Sequence, residues 1–257
     1  MIKISFTLIP LFLLLLLFLN DCIGLYIYMK PFTNNKCSGE SEGIGYIFNQ
    51  NEDSCIILSN STNPINSSLE INVFGEIGSF QIFNSLNCKI DSNDPKPISF
   101  AFKNNQCVNL PTMFNYNFNS TTTITTESPM NSFNTDNVNQ YFQMNLISSL
   151  NEINQIIDQV YGVKKFQYQL SNQCSNSNFQ LIQFFTNNFN ITTEINNNNN
   201  NSNNTTITSS IFCNSQKEPT IQQCRNGADN QCIFESLFLP CSEIIENDIS
   251  YNLVQTC

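Results

Sequence analysis

The chain contains no histidine and no tryptophan in its 257 residues. Without histidine, neither a Ser-His-Asp triad nor a Cys-His dyad can form within the chain. Histidine-ligated metal hydrolysis is excluded too, and the usual proton shuttle near neutral pH is missing. We therefore expect a protein that is not an enzyme, unless it works with carboxylates alone. The core is expected to be built from the 22 phenylalanines.

Sequence patterns that bind metals, dinucleotides or phosphates are missing as well. No Cys-x-x-Cys pair occurs, which together with the lack of histidine excludes the common zinc sites. GESEGIG, Gly39 to Gly45, matches neither the dinucleotide nor the P-loop spacing and is predicted to be a turn. DSNDP, Asp91 to Pro95, begins like a calcium loop but carries proline at a ligand position, so we predict a second turn. The sequence predicts no cofactor and no metal.

Basic residues are scarce. Ten lysines and arginines face twenty acids, which gives a net charge of −10. Nucleic acids and anionic lipid surfaces repel such a chain, and Lys164-Lys165 is the only adjacent basic pair. We expect no nucleic-acid partner.

Only one long apolar run is present, and it lies at the N-terminus. Lys3 precedes an apolar stretch from Ile4 to Leu19, and Gly24 follows as a small residue at a plausible cleavage point. This order is typical of a signal peptide. We predict that residues 1–24 are removed and that the protein is secreted, with no membrane contact after cleavage. The alternative is a type II surface protein anchored by Ile4 to Met29.

Eleven cysteines are present, an odd number. Cleavage would remove Cys22 and leave ten, which can form five disulfides in an oxidising compartment. Ten cysteines allow 9×7×5×3 = 945 pairings, so the connectivity cannot be derived from the sequence; closure of short loops between Cys37 and Cys55 and between Cys88 and Cys107 is a guess. The predicted disulfide cysteines are Cys37, Cys55, Cys88, Cys107, Cys174, Cys213, Cys224, Cys232, Cys241 and Cys257.

Two polar segments divide the chain. A Thr/Asn-rich linker over 112–137 separates an N-terminal β-rich half, 25–111, from a C-terminal cysteine-rich half, 138–257. An Asn-rich insert over 195–210 cannot bury enough apolar surface to order itself, so it is predicted to be disordered. FQIFNSLNC and FQYQLSNQC align at four of nine positions, which suggests two related halves; chance matching in an Asn/Gln-rich chain is the alternative.

The fold class predicted from the patterns is mainly β. GYIFNQNEDSCIIL, LEINVFGEIGSFQIF, PISFAFKNNQCVNL and KKFQYQL show alternation of apolar and polar residues typical of strands. One helix is predicted near 140–161, because Leu146, Leu150, Ile153, Ile157 and Val160 recur at helical spacing. Gly162 suits the left-handed position after a helix.

Seven Asn-x-Ser/Thr sequons predict surface glycosylation of an exported chain. They begin at Asn60, Asn66, Asn119, Asn190, Asn200, Asn203 and Asn204. A carboxylate-dependent glycosidase or a sugar-binding module is an alternative function, since glycosidases need only two acids. Glu76, Asp94, Glu235 and Glu243 are candidate acids, but no sequence context distinguishes them, and solvated surface acids are the simpler interpretation of each.

The sequence features combine into one pattern. It consists of a signal, the 233 residues that follow it (257 minus 24), the segments GYIFNQNEDSC and FAFKNNQC, and the C-terminal segment CNSQKEPTIQQCRNGADNQCIFESLFLPC. This pattern resembles a family of small secreted cysteine-containing proteins of social amoebae, some of which are known as counting factor-associated proteins. The resemblance implies an extracellular protein found with a secreted complex. It implies no active site. The expected function is therefore a non-enzymatic component of cell–cell signalling or of a secreted complex.

Overall fold

The computed structural model describes residues 25–50, 55–58, 67–85, 87–90, 96–110, 141–160, 162–169, 174–175, 178–186, 190–195, 205–225, 232–246 and 249–257. Within these residues the protein is mainly β with one helix and five disulfides, which confirms the predicted fold class. No helix in these ranges has the length and apolar character needed to cross a membrane.

Among the described residues, eight strands precede the helix and form an N-terminal unit: β1 (Tyr26–Phe32), β2 (Ile44–Asn49), β3 (Cys55–Leu58), β4 (Ser67–Phe74), β5 (Ile77–Phe83), β6 (Ile98–Lys103), β7 (Gln106–Asn109) and β8 (Tyr141–Ile147). Helix α1 (Leu150–Gln159) follows. The C-terminal unit comprises β9 (Lys164–Gln169), β10 (Phe179–Phe185), β11 (Asn190–Ile195), β12 (Thr205–Cys213), β13 (Pro219–Arg225), β14 (Cys232–Ser236), β15 (Leu239–Glu246) and β16 (Ile249–Thr256).

The strand order repeats between the two units. A large sheet has the order β15-β16-β9-β10-β2-β1-β8-β7, and two small sheets have the orders β3-β4-β5-β6 and β11-β12-β13-β14. Adding eight to each strand number of the N-terminal unit turns β2-β1-β8-β7 into β10-β9-β16-β15 and β3-β4-β5-β6 into β11-β12-β13-β14. The large sheet is therefore two similar four-stranded halves that meet where β2 pairs antiparallel with β10.

This repeat differs from the one suggested by the aligned nonapeptides. Phe80 lies in β5 and Phe166 in β9, and these strands are not counterparts, so the residue alignment is wrong although the topology repeats. The unit boundary also differs from the predicted one. Strand β8 pairs with β1 and β7, and so completes the N-terminal half of the large sheet even though it follows the linker. The linker itself, 112–137, lies outside the described residues.

The two faces of the large sheet are covered differently. Alternate residues such as Ile27 and Met29 share one core with residues of both small sheets, including Phe80 and Ile221. We call this the inner face. The opposite face, here called the helix face, packs Tyr26, Phe166 and Ile182 against Ile153 and Ile157 of α1. Side chains of a strand alternate between faces, so both faces need apolar residues, which explains the fully buried pattern of β2 and β10.

The helix is shorter than predicted. Residues 141–147 form β8, because YFQMNLI also alternates at the strand period and finds hydrogen-bonding partners along both edges. Ser149 starts the helix: its hydroxyl oxygen accepts a hydrogen bond from the backbone N–H of Glu152 at 3.4 Å, as expected for an N-cap. Val160 is the C-cap, and Gly162 has a φ of +139°, outside the left-handed helical region predicted for it.

The predicted disordered insert, 195–210, is wrong in part. Residues 205–210 belong to β12, which pairs with β11 on one side and β13 on the other. The sequence TTIT supplies β-branched residues suited to a strand, and two partner strands satisfy its backbone. Residues 196–204 lie outside the described residues.

The ten cysteines form five disulfides, but the two short loops expected from the sequence are wrong. Cys37 pairs with Cys107 and Cys55 with Cys88. The reason is topological. After β2 the chain leaves the large sheet, forms the small sheet β3–β6, and returns to the large sheet at β7. The β1–β2 loop, which carries Cys37, therefore lies close to β7, which carries Cys107. The remaining pairs are Cys174–Cys241, Cys213–Cys257 and Cys224–Cys232. Cys174–Cys241 joins the β9–β10 loop to β15 and is the counterpart of Cys37–Cys107.

One buried amide offers a test of this packing. The side chain of Gln183 is only 5% exposed, and its Nε2 has no hydrogen-bond partner among the described residues. A buried polar group without a partner is costly. Replacing Gln183 with methionine is therefore expected to raise the free energy of unfolding by about 1 kcal/mol, measured by urea denaturation with the disulfides intact.

The matched control is Gln167→Met on the neighbouring strand β9. The Gln167 Nε2 donates a hydrogen bond to the backbone oxygen of Ile57 at 3.5 Å. Removing this bond is expected to lower the free energy of unfolding by about 0.5–1 kcal/mol. A Gln183→Met protein less stable than the parent would contradict the assignment of an unpaired amide.

Candidate functional site

A surface cleft opens on the helix face beside α1. It consists of two adjoining cavities of about 720 and 420 Å³. Tyr28, Lys30 and Ile156 line both, so the cavities share a wall made by β1 and α1. We call the whole depression the helix-side cleft. The volume of each cavity falls within the range of small-molecule sites in proteins.

An aromatic pair forms the floor of the larger cavity. The rings of Tyr28 and Phe184 lie with their centroids 5.9 Å apart at a tilt of 40°. Phe184 sits directly opposite Gly45 in the β2–β10 pair, and a Cβ at Gly45 would collide with its ring. Glycine is therefore required at position 45 for the ring to lie flat over the neighbouring strand.

The β1–β2 loop forms one rim of the larger cavity and contributes Gly39, Glu40, Ser41 and Glu42. Local hydrogen bonds fix it. The Ser41 hydroxyl donates to the backbone oxygen of Pro31 at 3.0 Å, and the backbone N–H of Glu42 donates to the same oxygen at 3.2 Å. The Cys37–Cys107 disulfide ties this loop to β7.

A pair of hydrogen bonds joins the β2 end of the β1–β2 loop to the residue that follows β10. The N–H of Gly43 donates to Oγ1 of Thr186 at 2.9 Å, and the N–H of Thr186 donates to the Gly43 oxygen at 3.1 Å. The rim is thus held at both ends by strands of the large sheet. The other wall comes from the last turns of α1, through Ile156, Gln159 and Val160.

The smaller cavity is lined mainly by amides. Asn104, Asn105, Gln143 and Asn145 contribute to it, with Glu152 of α1 at its edge. Asn104 and Asn145 are used in part by the fold: Asn104 Oδ1 accepts from the N–H of Leu146 at 2.9 Å, and Asn145 Nδ2 donates to the backbone oxygen of Gln143 at 3.1 Å. The Asn104 bond holds the β6–β7 turn against β8, whereas the Asn145 bond lies within β8 itself.

The cleft carries more negative than positive charge. Glu40, Glu42 and Glu152 face it, whereas Lys30 is its one basic residue within the described part of the chain. The Lys30 ammonium lies 5.4 Å from the centroid of the Phe32 ring. No ion pair joins Lys30 to another described residue. The arrangement therefore disfavours phosphorylated and sulphated ligands.

Burial raises the pKa of Tyr28 from 10.0 to about 12, and it does the same for Tyr168 of β9. The neutral phenol is the form that the fold prefers, so this contribution to stability is complete below pH 10 and is lost as the pH rises from about 10 to about 12. We expect Tyr28→Phe and Tyr168→Phe each to remove phenolate absorbance that appears near pH 12 in the folded protein. The same titration in denaturant should move that absorbance to pH 10; absorbance lost near pH 10 in the folded protein would contradict the shift.

The candidate acids chosen from the sequence do not come together. Glu76 lies in the β4–β5 turn, Glu235 in β14 and Glu243 in β15, each in a different sheet, and none lines the cleft. Asp94 lies outside the described residues. The acids that do meet in the cleft come from GESEGIG, which the sequence presented only as a turn, and from the first turn of α1.

Of the seven sequons, only that of Asn190 falls in the described residues. Asn190 is exposed at the start of β11, an edge strand, and its Oδ1 accepts a hydrogen bond from the Ser210 hydroxyl. The six others, at Asn60, Asn66, Asn119, Asn200, Asn203 and Asn204, lie outside, so glycosylation stays a prediction. Within the described ranges, no group of three His, Cys, Asp or Glu side chains is placed to hold a metal ion.

The family model described as "Counting factor-associated protein A/B/C" matches residues 2–253. No curated protein and no solved structure matches the chain.

Proposed function

The chain belongs to the counting factor-associated protein A/B/C family, and from this membership we propose that it is a secreted, N-glycosylated, non-enzymatic component of extracellular signalling or of an extracellular complex. The family match covers nearly the whole chain, including the N-terminal apolar run. The family description carries no catalytic information, and the proposal invokes none.

The observation that supports this proposal most directly is the use of cysteine. All ten cysteines after residue 24 are paired, in five disulfides. Such bonds persist in extracellular and secretory compartments and are rare in reducing ones. Cys22 is the one cysteine outside these pairs, and it lies in the segment predicted to be removed.

The first test is the intact mass of the natively expressed protein, deglycosylated and alkylated without reduction. We expect a mass that begins at Leu25, no alkylated thiol, and a mass decrease on deglycosylation. A mass that retains Cys22, recovered only from detergent extracts, would replace the secreted protein with the type II surface protein.

The second test concerns the partner. Secreted protein isolated from conditioned medium by size-exclusion chromatography is expected to elute in a complex and to bring other extracellular proteins with it. Elution as a monomer with no co-purifying protein would overturn the complex as its place of action.

A further inference from the structure

We propose that the helix-side cleft is a binding site for a neutral oligosaccharide. This inference goes beyond the proposed function and does not depend on it, because the binding is a property of the purified chain. It is carried by the shape of the cleft, by the hydrogen-bonding groups that the fold leaves unused there, and by its charge.

The first observation concerns hydrogen bonding. The cleft contains polar side chains that make no hydrogen bond within the described residues, beside others whose hydrogen bonds fix the fold. The Tyr28 hydroxyl and the side-chain amides of Gln143 and Gln159 make no hydrogen bond to other described residues. The carboxylates of Glu40 and Glu42 accept no hydrogen bond from other described residues either. Meanwhile the backbone around them is fixed by the bonds of Ser41, Thr186 and Asn145. A rigid frame thus carries free donors and acceptors.

The second step is the chemistry of these groups. An amide offers two donors and an acceptor, a phenol one of each, and a carboxylate only acceptors. A ligand that satisfies them must itself carry many hydroxyls that donate and accept in turn. Aliphatic and aromatic atoms of Tyr28, Ile156, Val160 and Phe184 lie among these groups, and they suit the C–H faces of a sugar ring. Sugars combine hydroxyl edges with such faces.

The third step excludes other ligand classes. A phosphate or sulphate would meet Lys30 but also three carboxylates, and opposite charge is what favours anion binding. A lipid chain needs a mainly apolar pocket, whereas four side-chain amides, Glu152 and Lys30 line the smaller cavity. A lysine-rich peptide remains compatible with the negative charge, and the experiment separates it from a sugar.

The test uses the full secreted protein after enzymatic removal of its own N-glycans. A panel of neutral gluco-, manno- and chito-oligosaccharides, matched sulphated forms and a lysine-rich peptide is screened, and Kd values are measured by calorimetry. We expect at least one neutral oligosaccharide to bind with a Kd below about 1 mM. We also expect its sulphated form to bind more weakly.

Variants place the binding in the cleft. Tyr28→Phe, which keeps the ring, and Gln143→Ala should each weaken binding by about tenfold, with an unchanged thermal midpoint. Gln216→Ala is the matched control, since this exposed amide lies in the β12–β13 turn and is not among the residues that line the cleft. Gln216→Ala should leave Kd unchanged.

Three outcomes would overturn the site: no binding by any neutral oligosaccharide, binding unaffected by Tyr28→Phe and Gln143→Ala, or preference for the sulphated forms or the lysine-rich peptide. Hydrolysis of a bound oligosaccharide would support the site but overturn the non-enzymatic function, so the two proposals fail separately.

Discussion

Replacing Phe80 with alanine is expected to lower the free energy of unfolding by about 3–5 kcal/mol. The Phe80 side chain is fully buried, with its ring centroid 5.6 Å from that of Phe48 and 5.2 Å from that of Phe102. Phe48 belongs to the large sheet and Phe102 to the N-terminal small sheet. Phe80 therefore joins the two layers, and truncation removes contacts on both sides.

The size of the effect follows from packing. Protein interiors are close-packed, and a deleted ring leaves a cavity that strands held by ladders on both edges cannot refill. Strand β5 lies between β4 and β6, with ladders on both sides. The measurement is urea unfolding of the disulfide-bonded protein, followed by circular dichroism.

Phe74→Ala is the matched control. Phe74 lies in the same β4–β5 hairpin, six positions earlier, but is 90% exposed. Its truncation is expected to change the free energy of unfolding by no more than about 0.5 kcal/mol. Equal losses for the two variants would show that Phe80 does not join the layers.

The exposure of Phe74 also shows that the burial of a phenylalanine cannot be predicted from the strand pattern alone. Both residues occupy strands correctly predicted from LEINVFGEIGSFQIF, yet one is in the core and the other at a hairpin tip. Alternation reveals that a segment is a strand and which residues share a face. It does not reveal which face another sheet will cover, since that depends on partners distant in the chain.

The errors at β8 and in the disulfides have the same origin. In YFQMNLISSL, Leu146 and Leu150 fit a helix, while Phe142, Met144 and Leu146 fit a strand. The choice was made by β1 and β7, which lie far from β8 in sequence and supply ladders on both of its edges. Similarly, sequence spacing offered only short loops as a guess for the disulfides, but the departure of β3–β6 into their own sheet joins Cys37 to Cys107 across 70 residues.

The candidate site was the least predictable feature. The rim segment GESEGIG matches no known binding motif. Its two glutamates become part of a cleft only because the folded chain places this segment beside β10 and α1. The signal that was available is compositional: two glutamates in a loop between two strongly apolar strands. Such loops on a rigid sheet are common binding positions, but nothing in the loop itself identifies α1 as the opposite wall.

Removing the Cys37–Cys107 disulfide is expected to destabilise the protein by roughly 4 kcal/mol, because it closes a long loop of the unfolded chain, with a sequence separation of 70. The Cys224–Cys232 bridge has a separation of only 8 and should contribute roughly 2.5 kcal/mol. The comparison uses the double variants Cys37→Ala/Cys107→Ala and Cys224→Ala/Cys232→Ala, unfolded in urea at equal protein concentration.

The topological repeat supplies a sharper control. Cys174–Cys241 occupies the counterpart position in the C-terminal unit, with a separation of 67, so the Cys174→Ala/Cys241→Ala protein should lose nearly the same stability. The two variants should differ in the cleft. Cys37 anchors the loop that bears Glu40 and Glu42, whereas Cys174 lies in the β9–β10 loop, whose described residues do not line the cleft. Oligosaccharide binding should therefore weaken on loss of Cys37–Cys107 and persist on loss of Cys174–Cys241. Equal weakening would mean that the β1–β2 rim is not what the bridge holds in place.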